Sequence, residues 1–184
     1  SYLIAYENLR LINLMKSINM GDWDISKKLL DEVFNEYPWN IEKKINEFIK
    51  GWCIFCERLV DKRDTNQLVP IFIKLLIFGE RNHDVKNLIK YIFENFSLNS
   101  ILDLVSTEDK MLISLSFCEY KFLKGDFLEA ETLAIKNIKR IKSLIMNKRT
   151  EDLGWLITRR SLALFQNKSL GRENLQNLIN QLSN

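Results

Sequence analysis

Apolar side chains recur at intervals of three and four residues along almost the whole chain. This period is that of an α-helix with one face in the protein interior. In the first segment, Leu9 and Ile12 belong to an apolar stripe that we expect to be buried. Segment 68–78 is rich in β-branched and aromatic residues, but its length and its helical neighbours favour a buried helix over a strand. The predicted helices cover 3–15, 25–34, 41–59, 68–78, 85–96, 111–123, 127–145, 153–165 and 175–182.

Polar residues mark several of the predicted helix ends. Charged residues at 61–64 interrupt the apolar pattern between two segments. Ser100 and Asp103 are placed to cap a short turn of helix reciprocally, and the Thr-Glu-Asp sequence at 107–109 is typical of a helix start. No segment alternates with a period of two for long enough to make a strand. The chain is therefore predicted to be all-α.

The composition agrees with a single helical domain over residues 1–184. The chain is 46% hydrophobic and 28% charged, with only 2 Pro and 6 Gly, and no linker rich in Gly, Ser or Pro divides it. Because it starts at Ser1, without Met, inside a predicted helix, we expect a fragment of a larger protein. Charge interrupts every apolar run before about 18 residues, so neither a membrane span nor a membrane partner is expected. The 3 cysteines are odd in number, which favours reduced thiols and an intracellular location, in the cytoplasm or nucleus.

Two stretches of the chain, at 20–26 and 124–130, share a motif. Each follows an apolar helix and reads Gly, Asp, an aromatic residue, two spacers and a small residue. The Gly can end one helix in a left-handed conformation, and the Asp can cap the next helix. The aromatic residue fills the bend, and the small residue lets the paired helices approach closely. The motif residues are Gly21, Asp22, Trp23 and Ser26, with Pro38 closing the first copy, and Gly125, Asp126, Phe127 and Ala130.

This motif resembles the turn between the two helices of a tetratricopeptide repeat (TPR). Its two glycines are about 104 residues apart, close to three repeats of about 34 residues. The resemblance implies antiparallel helix pairs stacked as an α-solenoid, a right-handed superhelix. Asn13 and Leu14 in the first copy, and Asn137 and Lys142 in the second, depart from the family pattern, and no repeat in the same register is visible between the copies. We therefore expect a divergent TPR-like protein.

Proteins with such repeats bind peptides on the concave face lined by the first helix of each pair. The resemblance thus implies a scaffold or adaptor that acts as a subunit of a multiprotein complex. In this chain, the inward positions of one pair include Leu112, Leu115 and Phe122. Because these residues are apolar, either an apolar partner helix binds the groove, or the protein's own helices fill it.

Basic residues are concentrated between positions 136 and 160. The candidate partner-binding residues among them are Lys136, Lys139, Arg140, Lys148 and Arg149. Lys136 and Arg140 are four residues apart and share a helix face. Two interpretations fit the pattern: a solvated face, or a binding site for an acidic partner segment or for nucleic acid. The one aromatic residue in the run is Trp155, which disfavours a base-stacking platform.

The chain lacks the sequence motifs of common catalytic and metal sites. Cys53 and Cys56 form a Cys-x-x-Cys pair, but a zinc site needs two further ligands, and only Cys118 and His83 remain. The pair lies inside an apolar segment, so core packing is the favoured interpretation. His83, the single histidine, stands in a polar turn, where capping or solvation is expected. We therefore expect no catalytic residue, no cofactor and no metal, and a protein that is not an enzyme.

Three functions follow from these patterns. The favoured one is a non-catalytic scaffold or adaptor for protein–protein interaction, whose partner is a peptide, a helix or a complex subunit. One alternative is a nucleic-acid-binding module that uses the basic stretch 136–160, although a net charge of +3 does not by itself indicate nucleic acid. The other is a peptide-sensing regulatory domain of a transcriptional regulator, which predicts a DNA-binding domain upstream of Ser1.

Overall fold

The computed structural model confirms the all-α prediction. It describes residues 9–10, 12–14, 16–17, 20, 22, 24–25, 28–29, 32, 42–79, 82–144, 154, 158–161, 163–164, 177 and 180, and these residues contain helices and turns but no strand. The continuous helices are α1 (Glu42–Asp61), α2 (Thr65–Phe78), α3 (His83–Asn95), α4 (Leu98–Leu102), α5 (Thr107–Leu123) and α6 (Phe127–Leu144). Stacking of helix pairs into a solenoid stays a prediction.

The chain forms two compact units, Ser1–Ile92 and Phe93–Asn184. Within the first unit, α1 packs against α2 as a helical hairpin. Large side chains that are fully buried there include Trp52, Phe55, Phe72 and Leu75. Segment 68–78 is helical, as predicted, and is buried on more than one side, which explains why its apolar residues do not follow a simple helical stripe.

The turn between α1 and α2 is made by Arg63 and Asp64. Arg63 has a φ of 56°, and its backbone N–H donates to the Val60 carbonyl at 2.9 Å. The Asp64 N–H donates to the Leu59 carbonyl, also at 2.9 Å. These two bonds form the Schellman pattern that ends many helices. The Asp64 carboxylate then accepts the Gln67 N–H at 3.2 Å and so caps α2.

Gly79 allows α2 and α3 to meet closely within the first unit. A Cβ atom at this position would lie 2.5 Å from Cγ2 of Val85 and 2.7 Å from the Leu75 carbonyl oxygen. The Asn82 side chain caps α3 by accepting the N–H groups of Asp84 at 2.9 Å and Val85 at 3.2 Å. Gly79 is therefore required for space rather than for a left-handed backbone.

The first helical segment faces differently from its predicted orientation. Leu9 and Ile12 are exposed, whereas Arg10, Leu14 and Ser17 are buried, so the prediction that the first two line the interior is wrong. A buried Arg is tolerated here because its guanidinium pairs with the Glu32 carboxylate at 3.4 Å.

The first copy of the Gly-Asp motif is described only at Asp22. Its N–H donates to the Ser17 carbonyl at 2.9 Å, and its carboxylate accepts the Ile25 N–H at 3.2 Å, as expected of a capping Asp. The other motif positions of this copy lie outside the described residues: Gly21, Trp23, Ser26 and Pro38.

In the second unit, α4 begins at a different cap from the predicted one. Ser97 caps the helix by accepting the Ser100 N–H at 3.2 Å, and the Ser100 hydroxyl donates back to the Ser97 carbonyl at 2.7 Å. Asp103 ends the helix, its N–H donating to the Asn99 carbonyl at 3.0 Å. The predicted Ser100–Asp103 cap is wrong because the helix starts before Ser100.

The acidic start predicted for α5 is confirmed. Ser106 caps the helix by accepting the Asp109 N–H at 3.4 Å, and its hydroxyl donates to the Asp109 carboxylate at 3.2 Å. Ser106 and Asp109 occupy the two positions of a capping box, but the carboxylate here accepts the Ser106 hydroxyl in place of its backbone N–H. Beyond it, α5 is buried on most sides, at Met111, Leu112, Ile113, Leu115, Ser116, Cys118 and Tyr120.

Helices α5 and α6 form a second helical hairpin around the Gly125 turn. Gly125 has a φ of 86°, and its N–H donates to the Phe122 carbonyl at 3.0 Å. The Asp126 N–H donates to the Lys121 carbonyl at 3.0 Å, which completes a Schellman pattern. The ring of Phe127 meets that of Phe122 edge-on, with centroids 5.0 Å apart, and so packs at the bend.

Candidate partner-binding surface on helix α6

One side of α6 is part of the protein core. Ala130, Ala134 and Ile138 recur every four residues and are fully buried together with Cys118 of α5. The Cys118 thiol donates to the Ala130 carbonyl at 3.0 Å, so α5 and α6 are in direct contact at this point. The core side fixes which residues of α6 face away from the protein.

The opposite side of α6 carries the residues that we call the outer stripe: Leu128, Thr132, Ile135, Lys136, Lys139 and Arg140. Leu128 is 82% exposed, and Thr132, Lys136, Lys139 and Arg140 are also exposed. Ile135 is half-buried and connects the stripe to the core cluster.

Five residues of the outer stripe line one open cavity of about 420 Å³. The Ile135 side chain supplies an apolar wall, and Thr132 supplies a hydroxyl, which donates to the Leu128 carbonyl at 3.0 Å. The remaining three described lining residues, Lys136, Lys139 and Arg140, are cations, and none of the lining residues that the structure describes is acidic. Three like charges around one concave surface produce a positive potential that attracts anionic groups.

Neighbouring carboxylates do not neutralise the two lysines in the part of the chain that the structure describes. Glu129, about two helical turns before Lys136, pairs with Lys121 at 3.4 Å. Among the described residues, Lys136 and Lys139 have no ion-pair partner.

The structure thus brings together three of the five basic residues singled out from the sequence. Lys136, Lys139 and Arg140 surround the cavity. Lys148 and Arg149 lie outside the described residues.

The alternative groove residues of α5 have a different environment. Leu112 and Leu115 are buried, at 1% and 4% exposure, and Phe122 packs partly buried against the Cys118 cluster. That stacked helix pairs form a concave groove with these residues inside it stays a prediction. Leu112 and Leu115 offer no surface to a partner in this structure.

Sequence reasoning missed the apolar part of the outer stripe. Leu128, Thr132, Ile135 and Lys139 follow the i, i+4, i+7, i+11 spacing of one helix face. This spacing is present in the sequence, whereas the concentration of charge indicates only the basic end of the stripe. Leu128 stands next to Phe127 of the turn motif, which made it look like part of the bend.

The cysteines are buried and unreactive in character. Cys53 and Cys56 belong to the α1 core, and burial raises the pKa of both thiols. Burial likewise raises the pKa of the Cys118 thiol to about 12. Such thiols stay protonated at neutral pH and are poor nucleophiles and metal ligands.

The remaining titratable groups form no recognisable centre within the described residues. No group of three or more His, Cys, Asp or Glu side chains there converges on a possible metal position. His83 is exposed at the start of α3, with its Nε2 atom 3.2 Å from the Asn87 amide nitrogen. Burial, with the Asp61 and Asp84 charges, raises the pKa of the Glu57 carboxyl, and the Tyr91 hydroxyl donates to Asp61.

Comparison with known proteins yields no family model, no curated protein and no solved structure that matches this chain. In the described part of the chain, no helix is both long and apolar enough to cross a membrane.

Proposed function

We propose that this chain is a non-catalytic, TPR-like helical scaffold for protein–protein interaction, and that the outer stripe of α6 binds an acidic segment of its partner. The observation that carries the proposal is the α6 cavity, where Lys136, Lys139 and Arg140 converge and the described part of the lining holds no carboxylate. A scaffold of this kind is expected to act inside the cell as an adaptor or complex subunit.

The stability of α6 does not account for these cations. Like charges four residues apart on a helix, such as Lys136 and Arg140, destabilise it by about 0.2–0.5 kcal/mol. Cations do stabilise the C-terminal end of a helix, but the effect is confined to about the last turn. Helix α6 continues to Leu144, so this stabilising effect does not reach Lys136 and Lys139. Of the two interpretations left by the sequence, a solvated face and a binding site, the cavity around the two lysines favours binding of an external anion.

Two features support a scaffold rather than an enzyme. Hairpins α1–α2 and α5–α6 each close with the same hydrogen-bonded turn, a construction suited to arrays of paired helices. The nucleophile candidates Cys53, Cys56 and Cys118 are buried thiols with raised pKa values. Their placement favours packing over chemistry.

The proposal is tested with a fluorescent peptide rich in Glu, measured by anisotropy at two ionic strengths. We expect binding at low salt that weakens as salt rises, because exposed charges are screened over about 10 Å at 0.1 M salt. The double variant Lys136→Glu/Lys139→Glu should bind the peptide at least tenfold more weakly. The control Lys50→Glu/Lys110→Glu makes the same change in net charge at exposed positions elsewhere and should retain it.

A matched oligonucleotide decides between the partner classes. If single- or double-stranded DNA of equal charge binds more tightly than the peptide, and the α6 variant loses that binding, the protein-partner proposal is overturned in favour of nucleic acid. If neither probe responds to the α6 variant, the outer stripe is a solvated face.

A further inference from the structure

The outer stripe extends beyond the cavity as one line along α6. Leu128, Thr132, Ile135 and Lys139 succeed one another at spacings of four, three and four residues. At 1.5 Å per residue, the line is about 16 Å long, or three helical turns. Its two ends differ in chemistry: Leu128 is apolar and 82% exposed, whereas Lys136, Lys139 and Arg140 supply the charge.

The backbone at the apolar end is fixed by the Gly125 turn. Leu128 lies in the first turn of α6, directly after the Gly125 turn, and its carbonyl accepts the Thr132 hydroxyl at 3.0 Å. Next to it, Phe127 is partly exposed but is packed edge-on against Phe122. A partner that covers Leu128 removes apolar surface from water, which favours binding.

Resting on the function proposed above, we propose that the outer stripe binds an amphipathic helix with carboxylates at one end of its contact face and apolar side chains at the other. The outer stripe is a straight line over three helical turns, and the side of a second helix offers a matching line of side chains. An extended segment would cover the same distance in about five residues and matches the stripe less well. An acidic coil or a nucleic acid would use the cations but gain nothing from Leu128.

The chemistry also gives the direction of the bound helix. Carboxylates stabilise the N-terminal turn of a helix. A partner with its acidic N-terminal turn over Lys136, Lys139 and Arg140 places its apolar C-terminal half over Leu128 and Ile135. The partner then runs antiparallel to α6, and the opposed helix dipoles attract each other.

The probe is a synthetic 18-residue helical peptide with Glu on the contact face of its first two turns and Leu on that face of its last two. Its controls are a peptide of reversed sequence and a scrambled peptide, both of the same composition and net charge. We expect the designed peptide to bind at least tenfold more tightly than the scrambled one, and more tightly than the reversed one.

Two variants of the folded chain separate this inference from the proposed function. Leu128→Ser should weaken binding of the designed peptide about tenfold and leave binding of the scrambled peptide unchanged. The control Leu104→Ser, at another exposed leucine, should change the binding of neither peptide. Thr132→Glu places a carboxylate at the cavity and should weaken every acidic peptide. Melting curves verify that these exposed substitutions leave the fold intact.

The outcomes are distinct. If Leu128→Ser has no effect on the designed peptide while Lys136→Glu/Lys139→Glu abolishes binding, the helix inference is overturned and the proposed function stands. If neither Leu128→Ser nor Lys136→Glu/Lys139→Glu changes binding, the helix inference and the proposed function are both overturned. Equal affinity for designed and reversed peptides overturns the antiparallel direction.

Discussion

Arg63 and Gly125 occupy the same place in two different turns. Each directly precedes a capping-position aspartate, Asp64 or Asp126, and each has a left-handed backbone, with φ of 56° and 86°. In both turns this residue donates to the carbonyl three residues back, and the aspartate donates to the carbonyl five residues back. The hairpins α1–α2 and α5–α6 therefore end their first helices in one way, although only one of the turns contains glycine.

Replacing Arg63 by Gly should stabilise the protein. A left-handed conformation costs a residue with a Cβ atom roughly 1–2 kcal/mol, part of which is offset because Gly adds flexibility to the unfolded chain. We expect Arg63→Gly to raise the free energy of unfolding by about 0.5–1 kcal/mol in urea titrations. Arg63→Ala is the matched control, since it removes the same side chain but keeps Cβ. An equal gain in both variants would assign the effect to the side chain instead.

Replacing Gly125 by Ala should destabilise the protein by about 1 kcal/mol. A Cβ atom there meets nothing within 4 Å, so the cost arises from the backbone conformation alone. Gly125→Asn should cost less, because Asn tolerates the left-handed region better than Ala. The order Gly, Asn, Ala in thermal melts checks this reasoning, and an Asn variant no better than Ala would contradict it.

These two turns show what could be predicted from the sequence and what could not. The Gly125 turn was found because glycine signals a left-handed residue. The Arg63 turn appears in the sequence only as a charged interruption, since backbone groups make its two Schellman hydrogen bonds and no glycine marks its left-handed residue. Turn chemistry is visible in a sequence when the favoured residue is used and is hidden when the fold forces another residue into the same conformation.

Apolar periodicity predicted where the helices lie. It predicted less accurately which side chains face the interior. The pattern could not anticipate that Arg10 is buried, since that depends on Glu32, which is 22 residues away. On α6 the apolar spacing does predict the side that faces the interior, which carries Ala130, Ala134 and Ile138. The outer stripe consists of residues on the other side of this helix. A candidate site that consists of exposed residues is harder to predict, because no packing constraint selects it.

Cys118 should make stability depend on alkaline pH. Its pKa is raised from 9.0 to about 12 by burial. Between these values the unfolded chain loses the thiol proton and the folded chain keeps it, so stability present below about pH 9 falls as pH rises. The slope is at most about 1.4 kcal/mol per pH unit for this thiol. Urea titrations from about pH 8 to pH 10 should show a smaller decline for Cys118→Ala than for the parent, and equal declines would refute the assignment.

Ala130→Arg should be severely destabilising. Ala130 is fully buried in the cluster with Cys118, whose thiol lies 3.0 Å from its carbonyl, so no space remains for a long side chain. Overpacking and an unpaired buried charge together should cost at least about 3 kcal/mol.

The same substitution on the other side of the helix provides the control for Ala130→Arg. Leu128→Arg adds an identical charge two residues away, at a side chain that is 82% exposed, and should change the free energy of unfolding by less than about 0.5 kcal/mol. Melting curves of the two variants compare the core side and the outer side of α6 directly. If Ala130→Arg melts within a degree or two of the parent, α6 does not pack against α5 at this position. The outer stripe would then lose its structural basis, because its orientation depends on Ala130, Ala134 and Ile138 facing the core.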